Sequence, residues 1–293
     1  MIKNNFMRIF ITGGAGFIGI HLCKKISQIH KVTVYDNFSN SNKEDFPTLS
    51  NVTLLVGDIL NKSKLLDSMK NHDVVIHLAA KTDVVDSIHN PDKTFQTNVQ
   101  GSQNVLDSCK FNHVSKIIVI SSASVYQNSD NSVTEASIVE PLSPYGQSKL
   151  DMEKITMQSK IDYTILRLFN VYGDGHTSGV ITNFRKNISE NKPLIIFGDG
   201  KATRDFIHID DVVDGIILSM TSTSGICNIA SGNGTSIGDL AKLFMQLSGK
   251  NSEIIHKSAR DGEIIYSVAN ITKSQKELGF YPKMSLDGGL STL

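Results

Sequence analysis

The sequence predicts an α/β fold, a doubly wound parallel sheet with a smaller, mixed α/β lobe toward the C-terminus. Three observations carry this. Short apolar runs alternate with segments of helical periodicity through the first 170 residues, the first junction between them is rich in glycine, and the rhythm breaks after Phe169. Strands of a parallel sheet are covered on both faces, so they read as near-continuous apolar runs, and the helices between them supply the cover.

The elements follow in order. Residues 7–12 (MRIFIT) form an apolar run ending in glycines, a buried strand, and residues 17–27 carry apolar side chains at helical spacing. Residues 31–36 (KVTVYD) and 52–56 are the next strands, 73–77 (DVVIH) and 116–120 (KIIVI) two more, and 163–168 (YTILRL) a sixth. Helices are expected between them, notably over 92–110 and 145–160. Beyond Phe169, residues 173–179 are loop-rich, and 193–204 carry Pro193, Gly198 and Gly200. Residues 205–220 read as a short strand and then an amphipathic helix with Asp210 or Asp211 in its first turn. A strand over 226–229 and a helix over 236–247 follow. No internal repeat or low-complexity tract interrupts the pattern. The expected division is interleaved: one domain takes 1–170 plus about 204–230, the other about 171–203 and 231–293.

Composition narrows the function. With 293 residues, 40% hydrophobic and 20% charged, the chain can bury a substantial core. Lys plus Arg equals Asp plus Glu at 29 each, so bulk charge recommends neither nucleic acid nor an anionic membrane as partner. Cys23, Cys109 and Cys227 are odd in number and lack metal-ligand spacing. They read as free thiols in a reducing compartment, with no metal site expected. Residues 1–6 hold no apolar signal core, and runs such as 74–76 and 216–218 are far too short to span a bilayer. A cytoplasmic protein is expected.

Residues 13–19 read GGAGFIG. Gly13, Gly16 and Gly19 follow a predicted strand and open a predicted helix. Such glycines permit a tight turn and close backbone approach to a pyrophosphate, and leave the helix N-terminus aimed at that anion. The plainer alternative is an ordinary glycine turn. The strand–loop–helix context, with Asp36 closing the second strand, favours a dinucleotide. A carboxylate at Asp36 can bind a ribose diol and would repel a 2′-phosphate, and Asn37 and Phe38 bring no arginine to welcome one. NAD is therefore expected over NADP. Asp58, in the GDI that follows the third strand, either caps a plain turn or accepts from an adenine amine.

Residues 144–149 (PYGQSK) place Tyr145 and Lys149 four apart at the start of a helix, on one face about one turn apart. A phenol of pKa about 10 is a poor base at neutral pH. A neighbouring ammonium favours the phenolate, so the pair is expected to take a proton from a hydroxyl while hydride leaves the same carbon. The pattern by itself is common on surface helices. It gains weight from Ser121, Ser122, Ala123 and Ser124 directly after the fifth strand, since ligands sit at the carboxyl ends of parallel strands.

Ordered motifs run nearly end to end: TGGAGFIG from Thr12, GDI from Gly57, HLAA from His77, NVQG from Asn98, SSASVY from Ser121, SPYGQSK from Ser143, RLFNVYG from Arg167, RDFIHIDDV from Arg204 and RDGE from Arg260. With them the chain resembles the extended short-chain dehydrogenase/reductase family, in its NAD-dependent epimerase/dehydratase branch, and within that branch it is UDP-glucose 4-epimerase-like. The resemblance implies a Rossmann-type nucleotide-binding domain. It implies catalytic roles for Ser122, Tyr145 and Lys149, with Ser124 close enough to share the first, and an Asn98 that organises its helix and a water near the lysine. NAD would be held by Gly13, Gly16, Phe17, Ile18 and Gly19, by Asp36, Asn37, Ser39, Asn40 and Ser41 around the adenosine ribose, and by Asp58 and Ile59. Leu78, Ala79, Ala80 and Thr82 would line the nicotinamide side, with Asn98, Ser121, Tyr145, Lys149 and Phe169 also touching the coenzyme. A nucleoside-diphosphate sugar would meet Ser122, Tyr145, Asn170, Phe197 and Ser267, with Arg204 and Arg260 clamping its diphosphate through guanidinium forks. The helices over 92–110 and 145–160 resemble the pair that forms a homodimer interface in this family; their apolar stripes could equally face the core.

Dehydratases that resemble this chain carry acids just after the catalytic Ser/Thr, and decarboxylating relatives usually place a carboxylate nearby. Here those positions are Ala123 and Ser124. The resemblance therefore implies epimerisation at C4 through a transient 4-keto sugar. A 4-ketoreductase or dehydratase is the alternative within the family, and a non-catalytic NAD sensor the alternative outside it. An intact Ser122–Tyr145–Lys149 set argues against the sensor. Ser267 is small enough to leave room for an N-acetyl group, which keeps UDP-GlcNAc/UDP-GalNAc beside UDP-Glc/UDP-Gal. His77 and His208, flanked by apolar residues, read as core histidines. The chain departs from the family pattern at Gln127, usually Gly, and at Asn270, often Asp.

Overall fold

A computed structural model of the chain describes residues 6–222, 225–259 and 264–293. The first half alternates as expected: β1 (Arg8–Thr12), α1 (Phe17–Ile26), β2 (Lys31–Asp36), β3 (Val52–Val56), α2 (Lys62–Ser68), β4 (Val74–His77), α3 (Val84–His89), α4 (Pro91–Phe95), α5 (Ser102–Phe111), β5 (Lys116–Ser122), α6 (Pro144–Gln158) and β6 (Asp162–Leu168). The second half holds β7 (Asn170–Tyr172), α7 (Gly179–Ser189), β8 (Leu194–Phe197), β9 (Thr203–His208), α8 (Ile209–Ser219), β10 (Gly225–Ile229), β11 (Gly234–Ser236), α9 (Ile237–Ser248), β12 (Ile254–Lys257), β13 (Tyr266–Ser267), α10 (Thr272–Leu278) and α11 (Leu286–Ser291).

Seven strands form one parallel sheet in the order β10-β6-β5-β4-β1-β2-β3. This is the doubly wound, Rossmann-like α/β sheet that the alternation predicts. Strand order reverses at β1, whose neighbours are β2 on one side and β4 on the other. The loops leaving β1 and β4 therefore diverge and open a crevice at the carboxyl end of the sheet, the place where such folds bind ligands.

Side-chain alternation along each strand builds two cores. Ile9 and Ile11 of β1 join Leu22, Val34, Ile76, Val212 and Ile216 on one face. Phe10 faces the other way and joins Tyr35, Leu65, Val75, Val105 and Met152. The cysteines lie buried in these layers, and burial pushes Cys23 up to about 12. A third core packs α7, β8 and α9 through Phe184, Leu194, Leu240 and Phe244. Beside it stands a second sheet in which β9 pairs with β7, β11 and β13, while β8 pairs with β12.

The helix expected over 92–110 differs in one way that matters. Between α4 and α5 the chain runs through a π-helical stretch, Gln96–Gly101, so the turn is widened around Asn98. At the start of α6, the Ser143 side chain accepts the Gly146 amide and Pro144 takes the first turn. A proline there loses no hydrogen bond, and the local sequence sets where the helix begins. Among the described residues no helix is long and apolar enough to cross a membrane, and no group of three or more His, Cys, Asp or Glu side chains is placed to hold a metal.

Candidate active site

The crevice is made by backbone that has no room for side chains. Gly13 sits at φ +71, and a Cβ there would stand 2.5 Å from the Ala79 amide nitrogen, so the loops after β1 and β4 touch. A Cβ on Gly19 would run into the Gly14 carbonyl, which fixes how closely α1 packs on its own loop. Gly16 is different: the nearest atom to its Cβ would be the Gly13 carbonyl oxygen at 3.4 Å. No side chain caps the N-terminus of α1, and its first turn holds no acid. Its leading amides and dipole are left to an anion, while Phe17 and Ile18 in that turn pack partly into the core. A glycine whose Cβ would meet only one ordinary backbone contact, beside a helix end that lacks its own cap, fits the approach of a dinucleotide pyrophosphate.

Asp36 closes β2 at the rim of this crevice. Its carboxylate accepts the Ala15 amide at 2.9 Å and the Phe38 amide at 2.8 Å, tying the glycine loop to the turn that follows. Asn37 continues the turn, accepting the Ser39 amide and donating to Asp58 at 2.8 Å. Phe38 is held at φ 58, a costly conformation for a bulky residue, so the turn is shaped by its hydrogen bonds. Asp58 also caps its own turn through the Leu60 amide. Ile59 is buried against Gly101, while Ser39 and Asn40 are exposed and Ser41 half-buried. A two-oxygen carboxylate that spends one lone pair per oxygen on backbone still has capacity for a ribose diol. These residues fit NAD.

On the other side of the crevice, the end of β5 and the face of α6 are matched residue by residue. Lys149 Nζ donates to the Ile120 carbonyl at 2.8 Å, Ser121 Oγ donates to Glu153 at 2.5 Å, and the Tyr145 phenol lies near enough to Ser122 for that hydroxyl to bear on its ionisation. Tyr145, Lys149 and Glu153 are successive turns of one helix face, and all three are buried. Ser122 caps the turn after β5, accepting the Ser124 amide at 3.1 Å and donating to the Ser124 hydroxyl. Of the two hydroxyls it is that of Ser122 that bears on the phenol, and Ser124 is bonded to Ser122.

The electrostatics differ from the sequence expectation. Burial holds the Tyr145 phenol above its ordinary value, and the opposing influence is the Ser122 hydrogen bond. The Lys149 ammonium is turned to the Ile120 carbonyl; its own burial brings it down to about 8, against the pull of Glu153.

Asn98 anchors the widened turn. Its side chain accepts the Lys81 amide at 2.7 Å and donates to the Lys81 carbonyl and to Ser148 Oγ, which in turn donates to the Tyr145 carbonyl. Leu78, Ala79 and Ala80 lead from β4 into this anchor and are half-buried, while Thr82 beyond it is exposed. Behind it, Ser102 donates to the Asn98 carbonyl at 2.5 Å, so its oxygen must accept from His77 Nε2, and His77 Nδ1 accepts from Thr12. His77 is neutral, pushed down to about 3 by burial and by Lys149. His208 accepts the Asp210 amide at the start of α8.

The remaining expected residues follow β6 in the chain. Phe169 is buried and bonded through its amide to Ile229, and Asn170 is exposed at the start of β7. Arg204 on β9 and Ser267 on β13 are register partners, and Phe197 ends β8. Arg260 lies outside the described residues.

Sequence reasoning missed four contributors. Glu153 was within reach, since it continues the Tyr145–Lys149 spacing by one more turn. Its partner Arg167 lies 2.6 Å from it and stacks over the Tyr126 ring at 4.7 Å. Ser87 accepts the Tyr145 amide at 3.1 Å and so joins α3 to α6. Asp205, fully buried beside Arg204, accepts the amides of Ser231, Gly232 and Ala269. No local spacing marks the last two.

A parallel sheet with a phosphate-shaped loop at its switch point, and a tyrosine–lysine helix facing the same crevice, belongs to the nucleotide-dependent enzymes of the α/β class. The match to the NAD-dependent epimerase/dehydratase family extends over residues 9–230, and the chain belongs to that family, with NAD as its coenzyme. It is 34% identical over 294 residues to a putative UDP-glucose 4-epimerase of Methanocaldococcus jannaschii, covering 96% of this chain and 95% of that one. It is 31% identical over 306 residues to a UDP-N-acetyl-alpha-D-glucosaminuronate decarboxylase of Bacillus cytotoxicus, covering 97% and 95%. The crystal structure of UDP-glucuronic acid 4-epimerase from Bacillus cereus, in complex with UDP-glucuronic acid and NAD, superposes with a TM-score of 0.91 at 32% identity, covering 97% and 96%.

Proposed function

We propose that this enzyme epimerises a UDP-hexose at C4, interconverting UDP-Glc and UDP-Gal or their N-acetylated counterparts. The observation that carries the reading is the Tyr145 phenol set against the Ser122 hydroxyl at the carboxyl end of β5, with Lys149 one turn behind it. In this reading Tyr145 takes the proton from the sugar O4, Ser122 orients that oxygen, and Lys149 supplies the positive charge that offsets the phenolate. When bound, NAD accepts and returns the hydride. The glycine loop and the α1 N-terminus hold the pyrophosphate, Asp36 the adenosine ribose, and the loop after β4 the nicotinamide side. Arg204 and Arg260 grip the sugar diphosphate, which serves as the pivot while the keto sugar turns.

The turn after β5 carries Ala123 and Ser124, neither able to act as a general acid for expelling water, and this favours epimerisation over dehydration. Ser267, beside Arg204 on the paired strand, is small enough to admit an N-acetyl group. In the same proposal the chain divides into 1–170 with about 204–230, against about 171–203 and 231–293, and the sugar binds between the lobes. A homodimer through α5 and α6 is part of the same proposal, supported by exposed Phe111 and Met157 on these adjoining helices, as is a cytoplasmic setting.

The test is a panel of UDP-, GDP- and dTDP-hexoses incubated with purified enzyme and no added coenzyme. Interconversion of C4 epimers without a steady change in NADH absorbance is expected. In parallel arms, net consumption of added NADH on a 4-keto nucleotide sugar would instead establish a ketoreductase, and loss of carbon dioxide from added UDP-glucuronic acid a decarboxylase.

A further inference from the structure

We propose that Glu153 is a positioning residue for this active site, its buried carboxylate clamping the reactive face of α6 to the end of β5 and furnishing the fixed negative charge behind Lys149. The inference rests on the reading of Tyr145 and Lys149 as the reaction centre, and it names what holds them there. Glu153 is fully buried. One oxygen accepts Ser121 Oγ at 2.5 Å and Arg167 Nε at 2.9 Å, and the other accepts Arg167 Nη2 at 2.6 Å. Ser121 lies between Ile120, whose carbonyl receives Lys149, and Ser122, which meets the phenol. A single carboxylate therefore fixes the middle of the three-residue segment that its own helix touches with lysine and tyrosine. A buried carboxylate one turn from a buried ammonium also opposes the loss of that ammonium's proton. The other titratable and charged groups around this pair are Tyr145 on α6, His77 on β4, which the Lys149 charge holds down, and Arg167 on β6, bonded to Glu153 with Tyr126 and Glu135 against it.

A role confined to structure and a role in setting charge diverge with pH. Lys149 stands at about 8 in the fold against 10.5 ordinarily, so the folded chain binds fewer protons across that window and its stability rises with pH there. Glu153→Gln lowers the Lys149 value further. The melting-temperature gap between wild type and variant is then widest near pH 6 and narrows between about pH 7 and 9. The alkaline limb of the pH–rate profile moves to lower pH. Ser121→Ala, which removes the clamp and keeps the charge, lowers turnover while leaving that limb in place. Should Glu153→Gln fail to fold, Arg167→Gln gives the opposite sign: with the facing cation gone and the carboxylate kept, the limb moves up.

A melting gap independent of pH, together with unmoved limbs in both variants, overturns the inference. The melting data need no substrate. If no UDP-sugar is turned over yet the gap narrows as expected, the charge coupling holds and the functional reading fails. If the enzyme epimerises but gap and limbs stay put, the Glu153 inference alone falls.

Discussion

Gly13 and Ala79 are in contact through backbone alone: a side chain on the first would lie 2.5 Å from the amide nitrogen of the second. This closure at the switch point brings the loops after β1 and β4 to one crevice, where the proposed reading puts the pyrophosphate and the nicotinamide. Gly13 also stands at φ +71, so Gly13→Ala adds backbone strain to a clash with main chain. A loss of roughly 2–4 kcal/mol in stability is expected, read by denaturant unfolding, with NAD binding lost alongside.

Gly16→Ala separates binding from folding. A Cβ on Gly16 would make only an ordinary contact, 3.4 Å from the Gly13 carbonyl oxygen, so the melting temperature should stay within a few degrees of wild type. Affinity for NAD, measured by calorimetry, should fall at least about tenfold, because the added methyl occupies the approach to the helix N-terminus. Unchanged affinity would place the pyrophosphate elsewhere.

Tyr145→Phe removes the phenol oxygen and leaves the ring that fills the site. Turnover should drop by roughly 10²–10⁴-fold, the usual worth of a positioned acid–base group, with KM little changed. Ser122→Ala should cost less, about 10–100-fold. Ser124→Ala should cost least, since its contact with the phenol runs through Ser122.

Asn98→Ala leaves the half-buried Lys81 amide and carbonyl and the fully buried Ser148 hydroxyl short of a partner. Destabilisation of about 2–4 kcal/mol is expected from unfolding curves. Because the same side chain holds the loop after β4, turnover should fall even at temperatures where the variant is folded.

His77 gives a pH prediction of definite sign. It is neutral in the fold, pushed down to about 3 from 6.5, so the unfolded chain binds more protons below pH 6.5. Its contribution to stability is complete above that value and is lost as pH falls toward 3. His77→Gln should flatten the acid limb of the stability profile, measured as unfolding midpoints across that range.

The order of strands and helices, the glycine loop, Asp36 at the end of β2 and the Tyr145–Lys149 spacing were all legible in the sequence. Each is a local pattern: periodicity, a turn that only glycine allows, or two residues one helical turn apart. Sequence alone left Ser122 and Ser124 as rivals, because both follow the same strand. In the fold Ser122 is the one that bears on the Tyr145 phenol, which favours it for the proposed role.

The tertiary structure decided what depends on residues far apart in the chain. Asn98 reaches Lys81 and Ser148, Glu153 reaches Ser121 and Arg167, and Arg204 lies beside Ser267, because strand order and helix packing bring those segments together. Burial, too, is a property of the assembled layers. It is why the Tyr145 phenol stands above its ordinary value, where the Lys149 spacing by itself had suggested the opposite. Short-range spacing determines which groups share a face; desolvation and partners across the sheet determine what those groups can do.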